Sequence, residues 1–150
     1  MSQMKQKTKA GSGKGLVALH AGPEEAKPSA RRVISDVRAG LEFGELEALR
    51  EELDLPMEQL TARLGLSRAT LHRRKASGRL TTDESDKVVR FARLLGHAVH
   101  LFGGAEEARQ WLKAPQRGLG GAVPLDYAET ETGAREVENL LGRIDYGVYS

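Results

Sequence analysis

Residues 57–74 read MEQLTARLGLSRATLHRR, and the spacing of their leucines and of one glycine decides the fold. Leu60 and Leu64 face inward from a first short helix, and Leu71 anchors a second helix against the first. Gly65 lies between them, in a turn where a backbone at positive φ favours glycine. The stretch therefore predicts a helix-turn-helix.

The second of these helices is basic. Residues 61–80 contain arginines and a lysine but no carboxylate. Short polar groups near a helix N-terminus can reach base edges and phosphates, and arginines suit both guanine edges and the backbone. Ser67 is also placed to cap the helix, and the backbone amides of the first turn can then bind a DNA phosphate. A helical hairpin with a merely basic surface is the alternative. The residues that we predict to bind DNA are Ser67, Arg68, Ala69, Thr70, Arg73, Arg74 and Lys75.

The segment before the motif also has helical spacing. Val33, Ile34, Val37 and Leu41 recur three and four residues apart and predict one helix. Residues 45–53 repeat the pattern and predict another.

Residues 81–150 favour helices as well. Thr81 and Glu84 have the spacing of a capping box, which opens a long helix that ends at Gly103. A short helix around Trp111 and a last helix from about Thr130 follow. Because no segment alternates with period two over the length of a strand, the predicted fold class is all-α.

These segments predict four regions. Residues 1–27 combine Gly, Ser, Lys and Pro with little apolar periodicity. They cannot bury enough apolar surface to offset the entropy lost on ordering, so we predict a flexible basic arm. Residues 28–80 form the helix-turn-helix region, for which we expect DNA binding and dimerisation, because modules of this kind usually act as dimers on two half-sites. Residues 81–102 form a long connecting helix, and residues 103–150 form a small C-terminal helical region.

Composition excludes several classes of protein. The chain has 150 residues and a mass of 16.3 kDa, which is the size of one ordinary domain. It has no cysteine, so disulfides, thiolate metal sites and cysteine nucleophiles are excluded. It has neither an apolar run of about 20 residues nor the apolar core of a signal peptide, so we expect a cytoplasmic protein with no membrane partner.

No catalytic, metal or cofactor site is predicted. His97 and His100 lie three residues apart on the long helix, but no third ligand is near them in the sequence. Residues 118–121 are glycine-rich but lack the Gly-Lys-Ser/Thr of a phosphate loop. No serine has a convincing histidine and acid partner. We therefore expect a protein that is not an enzyme.

Several motifs together resemble one family, the Xre/MbcA/ParS antitoxins of RES–Xre toxin–antitoxin pairs. The resemblance covers roughly residues 30–150, and its C-terminal block is more specific than its helix-turn-helix, which is a common motif. Thr61 departs from the pattern, because the first helix of such a motif usually has alanine there. The matching motifs are GLSRATLHRRK at 65–75, GRL at 78–80, ES at 84–85, GG at 120–121, PL at 124–125, TETGA at 130–134, NLLGRI at 139–144 and GVYS at 147–150.

The resemblance implies two partners. The helix-turn-helix region would dimerise and bind the operator of its own operon. The C-terminal region would bind and inhibit a RES-domain toxin that consumes NAD⁺ or uses it to modify a target, with the tail placed at the entrance of the toxin's active site. The tail residues that would bind the toxin are Arg143, Ile144, Asp145, Tyr146, Gly147, Val148, Tyr149 and Ser150.

The residues of the tail are consistent with this expectation. All three tyrosines, Tyr127, Tyr146 and Tyr149, lie in the last 24 positions, and aromatic side chains are frequent interface anchors. Two alternatives stay open. The tail can be frayed or packed on its own domain, and the chain can be a stand-alone transcriptional regulator whose C-terminal region senses a ligand or dimerises.

Overall fold

The computed structural model describes residues 15–145 and 147, and this part of the chain is helical. Its β-type pairing consists of two isolated bridges, Glu42 with Arg79 and Gln116 with Ala122. The all-α prediction is confirmed. The helices are α1 Leu16–Ala21, α2 Ala30–Ala39, α3 Phe43–Leu53, α4 Met57–Leu64, α5 Arg68–Ser77, α6 Thr82–Phe102, α7 Ala105–Lys113, α8 Pro124–Tyr127 and α9 Glu131–Asp145, with 3-10 turns at Glu24–Ala26 and Arg117–Leu119.

Helix α6 is the centre of the fold, and α1, α2, α3, α7 and α9 all pack against it. Ten of its residues are buried, including Phe91 and Leu95, so it is covered by other helices around most of its circumference. The predicted capping box is present at its start: the Thr81 side chain accepts from the Glu84 amide, and the Glu84 carboxylate accepts from the Thr81 amide. Gly103, at φ 75°, ends the helix in the left-handed conformation.

Helices α4 and α5 form the predicted helix-turn-helix. Gly65 has φ 72°, as the turn requires. Leu60 and Leu64 are buried, and Leu71 of α5 packs against the same core while keeping part of its surface exposed. The Lys87 ammonium of α6 donates to the Leu64 carbonyl at 3.2 Å, which ties the end of α4 to the long helix.

The N-terminal segment corrects one prediction, because residues 15–27 fold onto the core instead of extending a flexible arm. Leu16 and Val17 are buried, and their amides donate to the Glu45 carboxylate of α3 at 2.8 and 3.1 Å. Gly15 has no side chain to cap α1, so this carboxylate from α3 satisfies the first amides instead. Residues 1–14 of the predicted arm lie outside the described residues.

The predicted helix over this segment is present as α2, but Ile34 does not share the burial of its neighbours. It is 52% exposed, whereas Val37 is buried. Helix α2 contacts the core along a narrow stripe, and Ile34 follows Val33 by about 100° around the helix, which takes it off that stripe. It lies instead in a surface groove with Arg31 and Arg38.

The C-terminal helices are attached to the rest of the molecule by polar contacts as well as by apolar packing. Arg90 of α6 donates to the Glu131 carboxylate at 3.2 Å and to the Glu129 carbonyl at 3.1 Å. Arg63 of α4 donates to Asp126 of α8 at 2.8 Å. Among the described helices, none is long and apolar enough to cross a membrane.

Candidate functional surfaces

Helix α5 presents the predicted DNA-binding residues on a solvent-exposed helix. None of its ten residues is buried. Ser67 is the N-cap, and its hydroxyl oxygen accepts from the Thr70 amide at 3.1 Å and donates to the Thr70 hydroxyl at 3.0 Å. The predicted cap is therefore present, and the first turn has a fixed conformation.

The side chains of α5 divide into an exposed set and one that is held in place. Arg68, Ala69, Arg73 and Lys75 are exposed, and Thr70 is half-buried. The Arg73 guanidinium donates to the Thr70 hydroxyl at 3.2 Å. Because that acceptor is neutral, the charge of Arg73 remains available for an anion.

Arg74 differs from the other basic residues of α5. Its Nε donates to the Glu84 carboxylate at 2.7 Å, and its side chain is 22% exposed against 13% for Glu84. Burial works against ionisation of Glu84, but hydrogen bonds from Arg74 and from the Thr81 amide outweigh it, so the pKa of Glu84 lies below its usual value. This ion pair could not be predicted from the sequence, because the spacing of Glu84 from Thr81 indicates only the capping box of the next helix.

Thr61 fits the position where the family pattern has alanine. It is buried at 6% exposure, and its hydroxyl donates to the Met57 carbonyl at 2.9 Å, one turn earlier in α4. The extra polar atom is therefore satisfied within its own helix and does not disturb the packing of α4. This departure leaves the helix-turn-helix intact.

Helix α9 leads into the predicted toxin-binding tail. Its apolar face is buried through Ala134, Val137, Leu140 and Leu141. Arg93 of α6 also forms an ion pair with Glu138 at 2.9 Å, which adds a polar attachment. The helix is thus held on α6, and its last three residues, 143–145, are the first three of the predicted tail.

The structure describes four of the eight predicted tail residues. Arg143, Asp145 and Gly147 are exposed, whereas Ile144 is half-buried and packs against the core. Ile144 therefore belongs in part to the folded domain. The remaining four, Tyr146, Val148, Tyr149 and Ser150, lie outside the described residues.

Tyr127 on α8 is a candidate contact residue that the sequence pattern did not assign to a site. It is 41% exposed, and its backbone carbonyl packs so closely on Gly133 of α9 that a Cβ there would clash. An exposed aromatic ring on a backbone that packs against the next helix has the properties of an interface anchor. Its sequence signal, a lone tyrosine in a short segment after Pro124, is weak.

The histidines form no metal site. Within residues 15–145 and 147, no group of three or more histidine, aspartate or glutamate side chains is placed to hold a metal ion. His97 and His100 instead line a surface cleft of about 330 Å³ with His20 and Glu24. His20 was not singled out from the sequence; it is buried, its Nδ1 lies 2.8 Å from the Leu16 carbonyl, and burial lowers its pKa.

Two family models match the chain, one for each half. Residues 32–93 match the antitoxin Xre-like helix-turn-helix domain, which spans α2 to most of α6. Residues 97–147 match the antitoxin Xre/MbcA/ParS C-terminal toxin-binding domain, which contains α7, α8 and α9.

Relatives of known function agree with both models. The chain is 35% identical over 120 residues to "Antitoxin Xre" of Yersinia enterocolitica, a match that covers 79% of this chain and 81% of the relative. It is 45% identical over 84 residues to "Antitoxin Xre" of Photorhabdus laumondii, covering 55% and 57%. It is 25% identical over 127 residues to the "Prs ADP-ribosylating antitoxin" of a Sphingobium species, covering 78% and 80%. The chain therefore belongs to the Xre/MbcA/ParS antitoxin family, which is not an enzyme family: it has a helix-turn-helix that implies a DNA partner and a C-terminal domain that implies a toxin partner.

Proposed function

We propose that this antitoxin blocks the active site of a RES-domain toxin that consumes NAD⁺, and that it represses its own operon as a homodimer. The name of the Sphingobium relative refers to ADP-ribosylation, a reaction that takes its ADP-ribose group from NAD⁺. That relative supports a toxin with an NAD⁺ site. A homodimer would present two copies of α5 to two half-sites of an operator.

The observation that carries the toxin-blocking proposal is the attachment of α9. Its buried apolar face and the Arg93–Glu138 ion pair hold α9 on α6, and the exposed Arg143 and Asp145 stand in its last turn. Residues 146–150 follow immediately in the sequence. A segment that starts from a fixed support loses less conformational entropy on binding than one at the end of a flexible linker. This arrangement favours insertion of the tail into a cleft of the partner.

The test is a truncation that spares the folded domain. Deleting residues 146–150 keeps Ile144, which packs on the core. We expect the truncated chain to keep its circular dichroism spectrum and its DNA binding but to lose protection against the toxin encoded beside it. Tyr149→Ala tests the tail by one side chain, and Tyr127→Ala separately tests the candidate contact on α8. Full protection by the truncated chain would refute blocking by residues 146–150, and loss of protection in Tyr127→Ala alone would move the contact to α8.

The DNA-binding proposal rests on the exposed basic face of α5. Arg68, Arg73 and Lys75 are exposed, and α5 contains no aspartate or glutamate that could pair with them. Changing all three to alanine should reduce the slope of log affinity against log salt by about 0.9 for each phosphate that the variant no longer neutralises. Arg135→Ala, an exposed basic residue on α9, is the control and should leave the slope unchanged. An unchanged slope in the triple variant would reject α5 as the DNA-binding helix.

A further inference from the structure

The turn between α5 and α6 contains a carboxylate that serves two helices at once. Oε1 of Glu84 accepts from the Thr81 amide at 2.9 Å, which completes the capping box of α6. The same oxygen accepts from Nε of Arg74 at 2.7 Å. One atom therefore connects the last turn of α5 to the first turn of α6.

This connection reaches α5 where apolar packing is weak. No residue of α5 is buried, and its apolar attachment runs through the partly buried Leu71. Arg74 follows Leu71 by three residues and so lies on nearly the same side of the helix. Its ion pair supports that side near the C-terminal end of α5.

We propose that Arg74 positions α5 through Glu84 and does not itself bind DNA. The inference rests on the proposed binding of DNA by α5, and it removes Arg74 from the predicted set of contacts. A guanidinium that donates to a carboxylate at 2.7 Å has its charge neutralised locally, so it adds little attraction for a phosphate. The adjacent Arg73 donates to the neutral Thr70 hydroxyl, so this hydrogen bond does not neutralise its charge.

Glu84→Gln separates the two roles of the carboxylate. Capping boxes also use glutamine at this position, so its side-chain oxygen can still accept a hydrogen bond from the Thr81 amide. The negative charge that fixes Arg74 is removed. Simple electrostatics predicts tighter DNA binding when a carboxylate near DNA is neutralised. Positioning through Arg74 predicts the opposite, a decrease in affinity of up to about fivefold, which is the upper end of the effect that a surface ion pair has.

The experiment measures binding of the full chain to the duplex immediately upstream of its own reading frame across a series of salt concentrations. We expect Arg73→Gln to lower the salt slope by about 0.9. Arg74→Gln should weaken binding and leave the slope unchanged. The double variant Arg74→Gln/Glu84→Gln should bind no worse than the weaker single variant, because both changes break the same ion pair. Circular dichroism at the assay temperature checks that every variant is folded.

Two results would overturn the positioning role while the wild-type chain still binds DNA. One is a slope in Arg74→Gln that falls as far as in Arg73→Gln. The other is affinity in Glu84→Gln that is unchanged or higher. A wild-type chain that forms no salt-dependent complex with DNA would instead reject the DNA-binding proposal on which this inference rests. The two failures are therefore distinguishable.

Discussion

Replacing Gly96 with alanine tests whether the N-terminal segment is part of the folded core. Gly96 lies within α6, where a Cβ would clash with the backbone carbonyl of His20 and would lie 2.8 Å from the Lys27 ammonium, both on the N-terminal segment. Lys27 already donates to that carbonyl at 2.9 Å, so the chain there is held in place. A backbone atom cannot rotate aside as a side chain can, so the segment has to move away from α6.

The magnitude follows from two opposing effects. Alanine is favoured over glycine within a helix by about 1 kcal/mol. Overpacking a well-filled contact costs typically about 1–3 kcal/mol. Gly142→Ala is the matched control, because Gly142 lies within α9 and a Cβ there meets nothing within 4 Å. The difference between the two variants removes the helix-propensity effect and leaves the clash, so Gly96→Ala should be less stable than Gly142→Ala by about 1–3 kcal/mol.

Urea unfolding followed by circular dichroism gives this difference directly. Hydrogen exchange at the amides of Leu16–Ala21 adds a local readout, and Gly96→Ala should accelerate exchange there while leaving the amides of α9 unaffected. Equal stabilisation by Gly96→Ala and Gly142→Ala, with unchanged exchange in α1, would refute docking of α1 on α6.

Three further predictions concern a buried histidine, a helix cap and a buried leucine. Burial lowers the pKa of His20 from 6.5, so the unfolded chain binds the proton more readily, and the free energy of unfolding should fall as the pH drops below about 6.5. His20→Asn should reduce that fall in urea titrations at several pH values. An identical fall in the variant would show that His20 is not the group responsible. Thr81→Ala removes the N-cap of α6 and should cost about 0.5–2 kcal/mol in the free energy of unfolding, whereas Thr132→Ala, at an exposed position in α9, should cost less in the same assay. Leu141→Ala should cost about 2–5 kcal/mol because Leu141 is fully buried, and a cost below about 1 kcal/mol would show that α9 is not anchored through this side chain.

The helix-turn-helix could be predicted from the sequence because its signals are local. A left-handed turn needs glycine, which Gly65 supplies, and the leucines of α4 and α5 recur at helical spacing around it. The capping box of Thr81 and Glu84 is likewise a pattern of four consecutive residues. Local hydrogen bonds and helical periodicity leave a direct trace in the sequence.

The features that the sequence did not reveal depend on partners far away in the chain. Helix α1 has six residues, too few for a clear periodicity, and its first amides are satisfied by Glu45, 29 residues after Leu16. The role of Arg74 depends on Glu84 of the following helix, and the exposure of Ile34 depends on how α2 lies against the core. Such tertiary contacts override what single residues suggest.

The measurement that tests the central claim most directly is intracellular NAD⁺ after induction of the neighbouring gene, with and without this chain. We predict that NAD⁺ collapses when the neighbour is expressed alone and is restored when the full chain is expressed with it. A neighbour that leaves NAD⁺ and growth unchanged in both cases would contradict an NAD⁺-consuming partner and favour a stand-alone regulator that acts through α5.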